Sequence, residues 1–86
     1  MISKVFSIYD SKAEIYNKPF IMATKGQAIR GFADLANDEN IDIGKHPQDF
    51  TLFEIGEYDD ERGIYTMHEA KQNLGVAIEF KKGDRN

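Results

Sequence analysis

The stretch HPQDFTLFEIGEYDDERG, residues 46–63, puts six carboxylates, a histidine and three aromatic rings into eighteen positions. Carboxylates at that density can bind a hard cation, act as a catalytic pair, or keep a hairpin tip in water. A calcium loop needs oxygen ligands at fixed spacing, with a glycine midway and a closing glutamate, and DDERG lacks that spacing. A catalytic pair needs a cleft that perturbs one carboxyl, and an alternating strand does not indicate one. Glu54 and Glu57 are therefore expected on or near the exposed side, and their spacing points to a bulge around Gly56. The acids look structural or electrostatic.

Other chemistry is thinly supplied. His46 and His68 are the only histidines, and Ser3, Ser7 and Ser11 all lie outside a G-x-S-x-G context. His46, before Pro47, is expected to be a plain loop residue. The absence of cysteine excludes disulfides, thiolate zinc sites and thiol nucleophiles. TKGQAIR (24–30) sets Lys25 and Gly26 at a helix N-terminus, where backbone N–H groups favour anions, but it lacks Walker A spacing. A capped helix start accounts for it. The expectation is a protein that is not an enzyme and uses neither metal nor cofactor.

The more suggestive group is Tyr16-Asn17-Lys18-Pro19-Phe20, next to Lys4 and Tyr9. If Ile15, Ile21 and Ala23 face the helix, then Tyr16, Lys18, Phe20 and Met22 line the opposite face. Aromatics interleaved with lysine on an open sheet stack bases and hold phosphates without strict sequence preference. The same strip would equally serve a dimer interface, or neither purpose, and a bulge at Pro19 would reverse the parity. Net charge is −4, but it is unevenly spread: +3 over residues 1–30, −9 over 31–70 and +2 over 71–86. The two ends could thus build a basic surface on an acidic chain.

These side chains need elements to hold them. Residues 2–9 alternate as a strand, with Ile2, Lys4, Phe6 and Ile8 on one face. After a turn at 10–14, a second strand at about 15–23 contains Pro19, which cannot donate to a ladder, so it belongs at an edge or is bulged. Thr24 and Gln27 form a capping box. Ala28, Ile29, Phe32, Ala33, Leu35 and Ala36 then give one buried helical face, ending at Asn37-Asp38-Glu39-Asn40. Gly31 is expected to let the helix approach the sheet closely. Residues 41–49 form a loop with a short turn from Pro47, and 50–58 and 64–69 form a hairpin around the polar loop 59–63. Residues 70–75 connect to a last strand, 76–82, and 83–86 form a frayed tail.

The expected fold class is α+β: a two-layer sandwich, one helix on a mainly antiparallel sheet of four to five strands, in the order β-β-α-β-β-β. Residues 1–82 make a single domain. The core is thin and one sheet face is uncovered, which favours a homodimer. The N-terminal strand resembles no signal peptide and no run approaches a membrane span, so a soluble intracellular protein is expected.

IYDSKAEIYNKPF, TKGQAIRGFADLAND, KHPQDFTLFEIGEYDDERG and LGVAIEFKK together resemble the small nonstructural protein of gokushovirus-type microviruses, bacteriophages with circular single-stranded DNA genomes. The likeness covers about residues 5–82. HPQDFTLFEIGEYD is its most specific part, and 70–74 departs from it. The resemblance implies a non-enzymatic phage protein made in the host bacterial cytoplasm and absent from the mature shell. It further implies binding of single-stranded DNA during genome synthesis or packaging, with viral procapsid or replication proteins as partners.

The resemblance supplies no contact residues, so the candidates come from basic and aromatic positions alone. Lys4, Lys12, Lys18, Lys25, Arg30, Lys81 and Lys82 are expected on phosphates, with Tyr9, Tyr16 and Phe20 as stacking platforms. The acidic segment would limit non-specific binding or select a basic partner. The alternative is a protein-interaction module, a homodimer or an adaptor, with no nucleic-acid contact.

Overall fold

The computed structural model describes residues 1–82. Its centre is β1 (Ile2–Asp10), whose alternation buries Phe6 and Ile8 on one side and Val5 on the other. Along one edge β1 pairs with β2 (Ile15–Tyr16) and β3 (Phe20–Met22), and along the other with β4 (Phe50–Asp59). β5 (Ile64–Val76) follows β4, giving a five-stranded sheet in which every pairing is antiparallel.

β2 and β3 are one edge strand broken at Asn17-Lys18-Pro19. Tyr9 pairs with Tyr16 and Phe6 with Phe20, so three steps along β1 face four along its partner. Asn17 fills the gap: its Oδ1 accepts the Ile8 N–H at 2.8 Å and the Ser7 hydroxyl at 3.1 Å. The extra residue reverses the face after Tyr16. Phe20 and Met22 turn toward the helix and Ile21 turns away from it, opposite to the parity expected from simple alternation.

The helix α1 (Lys25–Ala36) starts as its sequence predicts, with Thr24 Oγ1 accepting the Gln27 N–H at 3.2 Å. Ala28, Phe32 and Ala36 lie against Phe6, Ile8, Leu52 and Ala77. Each large side chain so buried contributes about 1.5–3 kcal/mol. Asn37 closes the helix and ties in the C-terminal segment. Its Nδ2 donates to the Ala33 and Phe80 carbonyls at 2.8 and 3.0 Å, and its Oδ1 accepts the Lys82 N–H at 2.8 Å. Gly31 does not serve close packing, since a Cβ there would meet nothing within 4 Å. The small contacts are Ala28 and Ala36.

A short helix α2 (Asp42–Lys45) and a 3-10 turn (Pro47–Asp49) lead into β4. The last strand expected at 76–82 is absent. Instead β5 runs to Val76, and Ala77–Phe80 is a 3-10 turn. Residues three apart share a face there, which puts Ala77 and Phe80 into the core and leaves Ile78 exposed. Gly75, at φ +133, makes the break, and a Cβ on it would meet the Phe80 ring at 2.8 Å. The order is therefore β-β-β-α-α-β-β, a correction to the expected one.

Ile55 is an extra residue in β4. Against β1, Gly56 faces Val5 and Glu54 faces Phe6; against β5, Gly56 faces Met67 and Glu54 faces Gln72. Ile55 thus has no counterpart on either side, while residues 68–71 of β5 swing past it. Gly56 allows the strands to close up here, as a Cβ would lie 2.8 Å from the Thr66 carbonyl oxygen and 3.0 Å from Met67 Cα. Gly56→Ala is expected to lower stability by about 1–3 kcal/mol in urea unfolding. Gly31→Ala, with open space above it, should raise stability by up to about 1 kcal/mol. Equal effects at the two sites would contradict this packing.

Candidate nucleic-acid interface

The sheet face away from α1 carries two aromatic stations. At the first, the Tyr9 and Tyr16 rings are tilted together at 4.6 Å, and Phe53 meets Tyr16 edge-on at 5.9 Å. Lys71 Nζ lies 5.6 Å from the Tyr16 ring centre, within cation–π range. At the second, Tyr58 and Tyr65 are tilted together at 4.8 Å. Between them is a shallow basin of about 550 Å³, floored by Val5, Ile21, Ile55 and Met67, with Lys18 and Pro19 at its rim. Tyr16, Tyr65 and Met67 stand 41%, 55% and 53% exposed, so flat apolar surface is presented to solvent. The β1 and β4 residues on this face are Ser3, Val5, Ser7, Tyr9, Thr51, Phe53, Gly56 and Tyr58, with no carboxylate among them.

The carboxylates of β4 are on the other side. Glu54 and Glu57 pair with Phe6 and Lys4, on the face that α1 covers further along. Glu54 is 2% exposed, which overturns the expectation of a solvated side chain. Its Oε2 is 2.7 Å from His68 Nε2, while Oε1 is buried without a hydrogen-bond partner. Glu57, half-exposed, accepts a 2.8 Å hydrogen bond from Lys4 Nζ. That bond holds the Glu57 carboxyl below the usual carboxylate range and raises the Lys4 ammonium. At the hairpin tip, Asp60 and Glu61 lie 2.9 and 3.5 Å from the Met1 amine. Positive groups near the N-terminus therefore neutralise part of the acidic middle.

The model of the family described as Phage ORF5 protein matches residues 3–80. The chain belongs to that family. It is a bacteriophage protein, and among its described residues no helix is long and apolar enough to cross a membrane. Neither the curated proteins nor the solved structures contain a match.

In this phage protein the ten candidate contact residues do not form one surface. Tyr9 and Tyr16 share the open face, and Lys18 borders its basin. Phe20 lies on the helix side, stacked on Phe6 at 5.7 Å, because the extra residue at 17–19 reverses its parity. It cannot form one platform with Tyr16. Lys4 is tied to Glu57, and Lys81 to Glu39 at 2.9 Å and the Gly44 carbonyl at 3.2 Å. Lys82 sits beside the end of α1, while Lys25 and Arg30 are exposed on α1 itself, which covers the opposite side of the sheet. Lys12 lines a cleft with Asp10, Asp42, His46 and Asp49. Among the described residues, no three His, Cys, Asp or Glu side chains group as a metal-holding set.

Phe53, Tyr58, Tyr65 and Lys71 were not singled out by the sequence patterns. Phe53 follows core residue Leu52 in plain alternation, so its face was readable once Leu52 was known to be buried. Lys71 was hidden in a segment expected to be a connection, whereas β5 runs through it.

The Lys4–Glu57 bond has a definite pH signature. A carboxyl with a lowered folded-state pKa adds stability that is present above its unfolded pKa, about 4.3, and lost as pH falls through the folded value. Lys4→Ala should raise the Glu57 pKa, read by carboxyl NMR titration, and flatten the acid limb of stability. An unmoved Glu57 titration would contradict the pairing.

Proposed function

We propose that this protein binds single-stranded DNA across the open sheet face, without catalysis. In this reading it is the small nonstructural protein of a gokushovirus-type microvirus. It serves viral genome synthesis or packaging in the host bacterial cytoplasm, alongside procapsid or replication proteins. The observation that carries the reading is the division of the sheet: rings and the Lys18 and Lys71 cations on one face, the carboxylates of β1 and β4 on the other.

The chemistry follows from that division. Bases have flat faces and stack on Tyr16 and Tyr65 whatever their identity, at about 1–3 kcal/mol per base. Lys71 and Lys18 stand beside those stations and meet the phosphates. Glu54 and Glu57 are aimed away, so a polyanion on the open face is not opposed at close range by carboxylates of β1 or β4. Double-stranded DNA fits poorly, because its bases are already stacked on one another. Membership of a phage family and the sequence likeness to proteins of single-stranded DNA phages support the same partner.

Fluorescence anisotropy with labelled oligothymidine tests the proposal. Tyr16→Ala should weaken binding by about 1–3 kcal/mol. Lys71→Ala should reduce the slope of log affinity against log salt by roughly 0.7. Absence of binding at low salt, or a Tyr16→Ala protein that binds as tightly as the parent, would overturn the proposal.

A further inference from the structure

The two edges of the sheet differ in their fitness to pair. The β2/β3 edge is interrupted at Asn17-Lys18-Pro19, and a proline blunts an edge by removing a donor. The outer edge of β5 begins differently. Ile64-Tyr65-Thr66-Met67 contains neither proline nor glycine nor charge, and its bulge comes only after Met67. Ile64, Tyr65 and Met67 are 44%, 55% and 53% exposed. A plain apolar edge of this kind is a template for another strand.

We propose that a second copy of this chain pairs with that edge, β5 against β5 and antiparallel, about a two-fold axis through Thr66. A two-fold relation between antiparallel strands stands normal to the sheet, so both copies show the same face on the same side. The axis must then fall on a residue. Placed on Thr66, it sets Thr66 against the partner's Thr66 and Tyr65 against the partner's Met67, both inside the regular run before the bulge. Threonine pairs and sulfur–aromatic contacts are both favourable across strands. Placed on Tyr65, the axis would leave Met67 opposite the partner's Gly63, outside β5, and placed on Met67 it would set Thr66 against the partner's His68, where the bulge begins. Matching within the regular run selects Thr66.

The pairing uses the edge and leaves the open face uncovered. Tyr65 and Met67 border the basin, so the basins of the two copies join into one apolar surface across the axis. Both helices lie on the far side. The contact is short, which makes the dimer a reversible one whose population depends on concentration. Its formation does not depend on DNA.

The chain has no cysteine, so a single introduced thiol reports the contact cleanly. Paired residues across antiparallel strands have Cα separations within disulfide range. Thr66→Cys is therefore expected to form a disulfide dimer under mild oxidation, much faster than Ala13→Cys, an exposed control in the turn after β1. Sedimentation should show the parent protein dimerising with concentration, and Met67→Glu should raise the dissociation constant by roughly tenfold or more. Circular dichroism checks that all three variants stay folded. A parent protein monomeric at all concentrations, or Thr66→Cys cross-linking no faster than the control, would overturn the proposal.

Discussion

The hydrogen bonds of β4 run to β1 on one side and to β5 on the other, and Ile55 is skipped by both ladders. In a strand of strict period two, Glu54 and Glu57 would point to opposite faces, and one carboxylate would sit among the rings. With Ile55 inserted they share a face, and Phe53 and Tyr58, five positions apart, share the other. Gly56 makes the insertion sterically feasible, because the strands close up where its side chain would be. The chemical difference between the two faces of the sheet depends on this one residue.

Several costs and contacts gather around it. Glu54 is held under the sheet with one oxygen satisfied by His68 and the other unsatisfied, an arrangement that costs stability unless its partner stays in place. The swing of 68–71 brings His68 to Glu54 and Lys71 to Tyr16 on the opposite face. The same irregularity thus supplies a counter-group for the buried acid and a cation for the exposed aromatics. Net charge conceals this, since an overall −4 says nothing about which face the charges occupy.

Legibility in the sequence followed locality. The cap at Thr24, the buried stripe of α1, the stop at Asn37 and the hairpin loop ending at Gly63 all depend on a few neighbouring residues and were readable. So were the break at Pro19, with the reversal of parity it could bring, and the bulge near Gly56. Simple alternation puts Phe20 on the wrong face, because one residue inserted at 17–19 inverts everything after it. Local pattern leaves Glu54 in solvent, because its partner, His68, is fourteen residues away on the next strand. VAIEF alternates like a strand, but Gly75 turns the chain and a three-residue period places Ala77 and Phe80 in the core. Charge by segment suggested basic ends set apart from an acidic middle. In the fold they are neighbours, and Lys4 and Lys81 are spent on Glu57 and Glu39.

Under the proposed function, the sheet face sorted by the Ile55 insertion receives the nucleic acid. Backbone amide NMR of labelled protein, titrated with a short oligothymidine, measures this directly. The largest shifts are expected at Tyr9, Tyr16, Phe53, Tyr65 and Lys71, with Lys25, Arg30 and Lys81 little changed. Shifts concentrated on α1 and the C-terminal lysines, with the aromatic face silent, would contradict it.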